Sequence, residues 1–241
     1  MKRTLTYPGI TPCVMLTHNA LPLTQAAVKS VLEQDTPVQL RVVDNGSTDG
    51  TWDWLQTQSC MKWQFFPPLG VSAGWNFALT DVFRHFDHAV VINNDVQLLP
   101  STVRVLTADP GEFVTAVSVG DPAQLNWDGV IRKRPHPDFS CFMIRRSCWQ
   151  KVGGFDESMV LYASDADYHL RMHQAGIEAY TIGIPFYHYA SGTLKSVDPE
   201  EAMRIRQQAD KDRETFHRKW KVKVGSVGYY ARFGHGAPHE A

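Results

Sequence analysis

The chain has 241 residues, 43% of them hydrophobic and 20% charged, with a formal net charge of -1. A chain of that size buries a full core as one domain, or as one domain with a small appendage. The near-zero charge excludes the long-range pull that draws basic proteins to nucleic acid or an anionic membrane, although Lys219, Lys221, Lys223 and Arg232 leave a local basic patch open near the end.

The four cysteines, Cys13, Cys60, Cys141 and Cys148, contain no CxxC pair. Neither a zinc site nor a disulfide framework is suggested, and buried reduced thiols are expected. Met1–Pro8 lacks an apolar stretch of signal-peptide length, and no window approaches the length of a membrane span. These readings point to the cytoplasm, with a peripheral place at the inner membrane face left open.

In chain order, Cys13–Leu16 reads as a buried strand. Leu21–Gln34 reads as a helix with Leu23, Ala27, Val28, Val31 and Leu32 on one face. Val38–Val43 is the next strand, Thr51–Gln58 a short helix and Trp63–Phe66 a third strand. Helix Ser72–Phe86 carries Trp75, Ala78, Leu79, Val82, Phe83 and Phe86 at helical spacing, and strand Ala89–Ile92 follows it. Alternating strands and helices predict a parallel sheet with right-handed crossovers. Further on, Phe113–Val119 and Phe139–Ile144 read as strands, separated by a polar loop, Gly120–Pro137. Asp165–Ala175 reads as a helix closed by Gly176, Glu178–Ile182 as a strand, and Pro199–Lys219 as a long polar helix. The tail from Gly225 reads as loose.

Polar islands follow three of the apolar runs: Thr17-His18-Asn19, Asp44–Gly50 and Asn93-Asn94-Asp95. A parallel sheet gathers such islands at the carboxyl ends of its strands, where ligands bind. A fourth island, Ser164-Asp165-Ala166-Asp167, precedes a helical pattern. Each also has a local explanation. The Asp44 and Asn93 islands suit turns, Ser72 suits a helix cap, and Asp165 or Asp167 suits a helix N-terminus. The functional readings give Asp44 a base or ribose contact and let Ala73 and Gly74 admit a nucleoside. Asp95 takes a divalent cation, and Asp165 takes a proton. His188 gains a role only in company with Asp95. There is no Walker loop, and no GxGxxG follows the first strand, which argues against a dinucleotide-binding dehydrogenase.

In order and spacing these islands resemble the family 2 glycosyltransferases: Asp44–Thr51, then Gly70–Asn76, then Val90–Val96, then Gly153–Gly176, then Phe186–Gly192. Phe216–Trp220 resembles the Lys-Trp ending that many members show. The resemblance runs from about Thr11 to about Gly192. It implies an α/β GT-A fold, with a mostly parallel sheet flanked by helices, a smaller mixed part and a C-terminal helix. The implied single domain divides into a nucleotide-sugar half (11–119), an acceptor half (120–197) and a terminal helix with tail (198–241).

The implied activity is inverting, metal-assisted transfer from a nucleotide sugar. Thr17, Asn19, Asp44, Gly74, Asn76 and Asn94 would line the donor pocket, with Asp44 on the N3–H of a uracil or thymine. Asp95 and His188 would hold Mn²⁺ or Mg²⁺, and Asp165 would be the general base. Two positions depart from the family pattern: Asn93 replaces the first acid of the DxD motif, and Ser164 the first acid of the Glu-Asp pair. The expected donor is a UDP- or dTDP-sugar; the acceptor, a glycan, lipid-linked sugar, protein or modified nucleobase, is not legible, nor is oligomeric state. No stable nucleic-acid binding is expected. A nucleotide-sugar-binding protein without turnover, or a sugar-1-phosphate nucleotidyltransferase, are the alternatives.

Overall fold

The computed structural model describes residues 9–189, 195 and 197–234. Met1–Pro8, the Ala190–Gly192 end of the resemblance and the last part of the tail lie outside them. An eight-stranded sheet runs in the order β3-β2-β1-β4-β7-β6-β8-β5. Its strands are β1 (Thr11–Thr17), β2 (Val38–Asp44), β3 (Met61–Gln64), β4 (His88–Asn93), β5 (Val96–Leu98), β6 (Phe113–Val119), β7 (Cys141–Arg145) and β8 (Ala179–His188). β1, β2, β3 and β4 are mutually parallel, β7 runs against β4 and β6, and β8 returns parallel to β6. The expected parallel half is therefore continued by a mixed half.

Alternation along β1 explains why both faces are covered. Cys13 and Met15 point into one core with Val28, Val31, Leu55 and Leu106. Val14 points into the other with Ala78, Leu79, Phe142 and Tyr168. Helices α1 (Leu21–Leu32), α2 (Thr51–Gln56) and α4 (Thr102–Ala108) supply the first side. The second is supplied by α3 (Val71–Val82), α5 (Arg146–Val152) and α6 (Ser164–Gln174). Helix α3 lies tight on β1 because Gly74 has no side chain: a Cβ there would sit 2.5 Å from Leu16 Cδ1. Cys13, Cys141 and Cys148 are buried, and all four thiols are free.

The stretch after Asp95, where the sequence pattern marks no element, holds β5 and α4, and β5 closes the sheet edge against β8. Two expectations are corrected. Strand β8 does not stop at Ile182. It continues through Gly183 and Pro185 to His188, and a register shift in its pairing with β6 absorbs the irregularity. The tail is built rather than loose up to Gly234. Helix Val227–Tyr230 and a 3₁₀ turn, Ala231–Phe233, pack on α6, with Tyr229 buried and the Phe233 ring stacked 3.9 Å from that of His169.

Candidate active site

The carboxyl ends of β1, β2 and β4 come together as the parallel sheet requires. Thr17 is in register with Asp44, and Asn45 N–H donates to Thr17 O at 2.7 Å. Thr17 Oγ1 lies 2.7 Å from Thr24 Oγ1, and Asn94 Nδ2 donates to both hydroxyls at 3.2 and 3.1 Å. Thr17 and Asn94 are thus buried ties between the first and third islands. Asn19 and Ala20 both adopt left-handed backbone, φ 54° and 58°. Asn19 is held there because its N–H donates to Ser47 Oγ (2.8 Å) and its Oδ1 accepts from Thr48 N–H (2.8 Å). Left-handed non-glycine backbone costs energy, which these two hydrogen bonds offset at Asn19.

Asp44 is fully buried. Its Oδ1 accepts from the N–H and hydroxyl of Ser47, fixing the turn, and its Oδ2 accepts from Gln64 Nε2 at 2.9 Å. Gln64 itself is exposed, so this partner of Asp44 lies at the solvent side of the strand end. Asn76 clamps the turn before α6: Nδ2 donates to Phe155 O (2.9 Å) and Glu157 Oε1 (2.8 Å), and Oδ1 accepts from Phe155 N–H (2.7 Å). A Cβ on Gly154 would come within 2.8 Å of Asn76 Oδ1, so the glycine permits the clamp. In this structure Gly74 and Asn76 make contacts within the protein.

The β5–β8 pairing sets Val96 opposite His188, and Tyr189 N–H donates to Asp95 O at 2.9 Å. His188 Nε2 consequently lies 3.4 Å from Asp95 Oδ1. Burial works to lower the His188 pKa, but the hydrogen bond and charge of Asp95, helped by Asp138, outweigh it and raise the value.

Asp165 sits in the first turn of α6, which starts after Ala163 in left-handed backbone (φ 63°). It is exposed to solvent, at the mouth of a recess lined by His136, Phe139, His169, Tyr229 and Tyr230. Desolvation by these walls raises its pKa, screened by its open side, and the charge of Asp138 adds to the rise. Asp167 faces away from this role. It is fully buried and joins Arg171 Nε (2.7 Å), Lys219 Nζ (2.7 Å) and Trp220 Nε1 (2.9 Å). The Lys-Trp ending is thereby a tie between the long helix Pro199–Trp220 and the start of α6. In the same helix, Asp212 accepts the N–H groups of Val160, Leu161 and Tyr162.

Asp138 is the residue that sequence reasoning missed. Its turn bridges the two parts of the site: Pro137 and Phe139 line the Asp165 recess, and Ser140 O accepts from Asn93 N–H at 2.9 Å. Its charge adds, as the smallest cause, to the raised pKa of both Asp165 and His188. No motif marks it, because it lies at the end of a loop without a pattern. The turn that carries it links the third island, through Asn93, to the Asp165 recess.

Among the described residues, no group of three or more His, Cys, Asp or Glu side chains is arranged to hold a metal ion. Asp95 and His188 still fit a divalent cation as two of its ligands. Mg²⁺ and Mn²⁺ are commonly held by one or two protein groups plus substrate phosphates.

A family model described as Glycosyl transferase family 2 matches residues 13–171. The chain belongs to this family. An N-acetylglucosaminyl-diphospho-decaprenol L-rhamnosyltransferase of Mycobacterium tuberculosis is 24% identical over 226 aligned residues, covering 69% of this chain and 71% of the relative. Among solved structures, a mannosyltransferase of Pyrobaculum calidifontis, in complex with GDP-Man and Mn²⁺, is 17% identical with a TM-score of 0.58, covering 95% of this chain and 79% of that one. TarS 1–349 of S. aureus is 14% identical with a TM-score of 0.59, covering 96% and 82%. The fold of this family 2 glycosyltransferase is GT-A, and its activity is glycosyl transfer.

Proposed function

We propose that this glycosyltransferase moves a sugar from a UDP- or dTDP-sugar to an acceptor hydroxyl with inversion at the anomeric carbon. One observation supports the reading: the turn Pro137–Ser140 touches both parts, with Pro137 and Phe139 lining the Asp165 recess and Ser140 O accepting from the N–H of Asn93, two residues before Asp95. A single site can then hold the donor diphosphate and face the attacking hydroxyl. The rhamnosyltransferase relative, whose name specifies a diphospho-decaprenol acceptor, favours a lipid-linked sugar as acceptor here.

In the proposed reaction the acceptor oxygen attacks the anomeric carbon in line with the bond to the donor phosphate. That carbon–oxygen bond breaks as the new one forms, and Asp165 takes the hydroxyl proton. The raised pKa of Asp165 suits a base. Asp44 orients the base of the donor, exchanging its Gln64 contact for an imide N–H. Asp95 and His188 would hold a divalent cation, which when bound neutralises charge on the departing nucleoside diphosphate. Asp138 supplies the neighbouring negative charge that Ser164 does not, so the departure at Ser164 leaves a tuned base.

The test is thermal stabilisation by UDP, dTDP and GDP with and without Mn²⁺, since ligands that bind the native state raise its melting temperature. Transfer assays with the stabilising nucleotide's sugars follow. Uridine or thymidine diphosphate should stabilise best, and more with Mn²⁺. Asp165→Asn should keep the donor-induced shift and lose transfer. A preference for GDP would overturn the donor assignment, and full transfer by Asp165→Asn would remove that residue from the role of base. Donor binding without turnover against lipid-linked and soluble acceptors would favour the binding-protein alternative.

A further inference from the structure

The residues after the long helix form an element with two contrasting sides. Its inner side is fixed: Tyr229 is buried and bonds His169 Nδ1 at 3.0 Å, the Tyr230 ring meets that of His136 edge-on at 5.2 Å, and Arg232 donates to Trp220 O at 3.1 Å. Its outer side carries two aliphatic residues with no core to join. Val227 is 74% exposed and Val224 40%. Around them Lys221, Lys223 and Arg232 are exposed, with no carboxylate at ion-pair distance among the described residues. From Lys211 to Gly234 there are seven Lys or Arg against two carboxylates, one of them the buried Asp212, in a chain whose net charge is -1.

Exposed aliphatic side chains set among cations, on an element whose other side is locked in place, match the requirements of a lipid interface. The aliphatic groups enter the acyl boundary and the cations meet anionic headgroups. A soluble acidic partner would use the charges but leaves Val227 without purpose. Position adds a second argument, because Val224, Gly225, Tyr229 and Tyr230 are also walls of the recess that holds Asp165.

We infer that the segment Lys221–Phe233 docks this enzyme on an anionic bilayer, with the Asp165 recess opening toward an acceptor carried in that bilayer. The acceptor clause rests on the proposed function; the docking clause does not.

The test is flotation of the full chain with vesicles of phosphatidylcholine alone or mixed with phosphatidylglycerol, without donor or acceptor. Wild type should float with the mixed vesicles, release in high salt, and ignore phosphatidylcholine alone. Val227→Asp and the Lys221→Glu/Lys223→Glu pair should each weaken flotation about tenfold, with circular dichroism and melting temperature unchanged. A chain that ignores both vesicle types, or a Val227→Asp variant that floats like wild type, overturns the docking surface. Because no donor is present, that failure is separable from a failure of the transferase reading. Transfer to a soluble acceptor should survive in both variants, and its parallel loss would place the segment in the catalytic machinery instead.

Discussion

His188 Nε2 stands 3.4 Å from Asp95 Oδ1 because β5 pairs antiparallel with β8 and sets Val96 opposite His188. A three-residue strand thus joins the end of the β4 island to a histidine far along the chain. If both side chains bind a cation together with the donor diphosphate, each is needed for metal-dependent affinity. Asp95→Asn and His188→Gln should each weaken UDP binding in Mn²⁺ by about tenfold or more, comparable to losing one charged hydrogen bond. Without metal, both should match wild type. Calorimetry in the two conditions measures the difference.

Asp165 should reveal itself twice. Replacing a general base costs about 10²–10⁴-fold in turnover, so Asp165→Asn should lose transfer while retaining donor affinity. Its pKa is raised in the folded chain by desolvation against the recess walls and by Asp138, a shift that its exposed side keeps small. The folded state therefore holds the proton more tightly than the unfolded state, and between the two pKa values stability falls as pH rises. Asparagine carries no such penalty. Asp165→Asn should melt slightly higher than wild type at neutral pH, and the gain should vanish below the ordinary aspartate range. Calorimetric melts at both pH values check this.

Asp138→Asn tests the tuning. The variant keeps an oxygen for the Ser140 N–H, which Asp138 Oδ1 accepts at 2.9 Å, but removes the charge. The Asp165 pKa should drop, so the acid limb of the transfer rate should move to lower pH. The plateau should fall by less than about tenfold, as expected for a weaker base in the same position. An unchanged acid limb would mean that Asp138 does not act on Asp165.

Asp44 offers a test of base recognition. Its Oδ2 can accept from the N3–H of uracil, which cytosine lacks. Asp44→Asn should reduce the preference for UDP over CDP by about tenfold, the scale of one buried hydrogen bond. Competition binding of the two nucleotides measures the ratio. Ser47 and Gln64 can both still bond an asparagine, so folding should survive.

Periodicity made the first half of this molecule legible. Trp75, Ala78, Leu79 and Val82 on α3, and the alternation of Cys13, Val14 and Met15 on β1, report their buried faces directly. The islands were legible for the same reason, since parallel strands must end on one edge. What stayed hidden depends on partners distant in sequence. β5 is three residues long and is defined by β8. Thr102–Ala108 is short and rich in β-branched residues, and tertiary packing decides that it is helical. Asp138 matters through what surrounds it, and a loop without a pattern gives no sign of that. The tail looked loose because its anchors, Tyr229 and Phe233, are single aromatics whose sockets lie on α6.

Lys219 ties these distant parts together, and its removal should show in acid. Its ammonium lies 2.7 Å from both Asp156 and the buried Asp167. Burial works to raise the Asp156 pKa, but the Lys219 and Ser158 hydrogen bonds override it and hold the value to about 2. A carboxylate depressed in the folded state contributes stability above its unfolded pKa and loses it as pH falls through the folded one. Wild type should therefore lose this contribution between about pH 4 and about pH 2. Lys219→Met should cost about 0.5–1.5 kcal/mol at neutral pH, the range for a charged hydrogen bond discounted for the solvent that screens the partly exposed ammonium. Arg171 keeps Asp167 paired in the variant and limits the loss. The variant's acid transition should also flatten, because Asp156 no longer has a cation to protect. Denaturant melts across that pH range should show the two curves converging at the acid end. If instead they stay parallel, Lys219 acts by packing its stem rather than by charge.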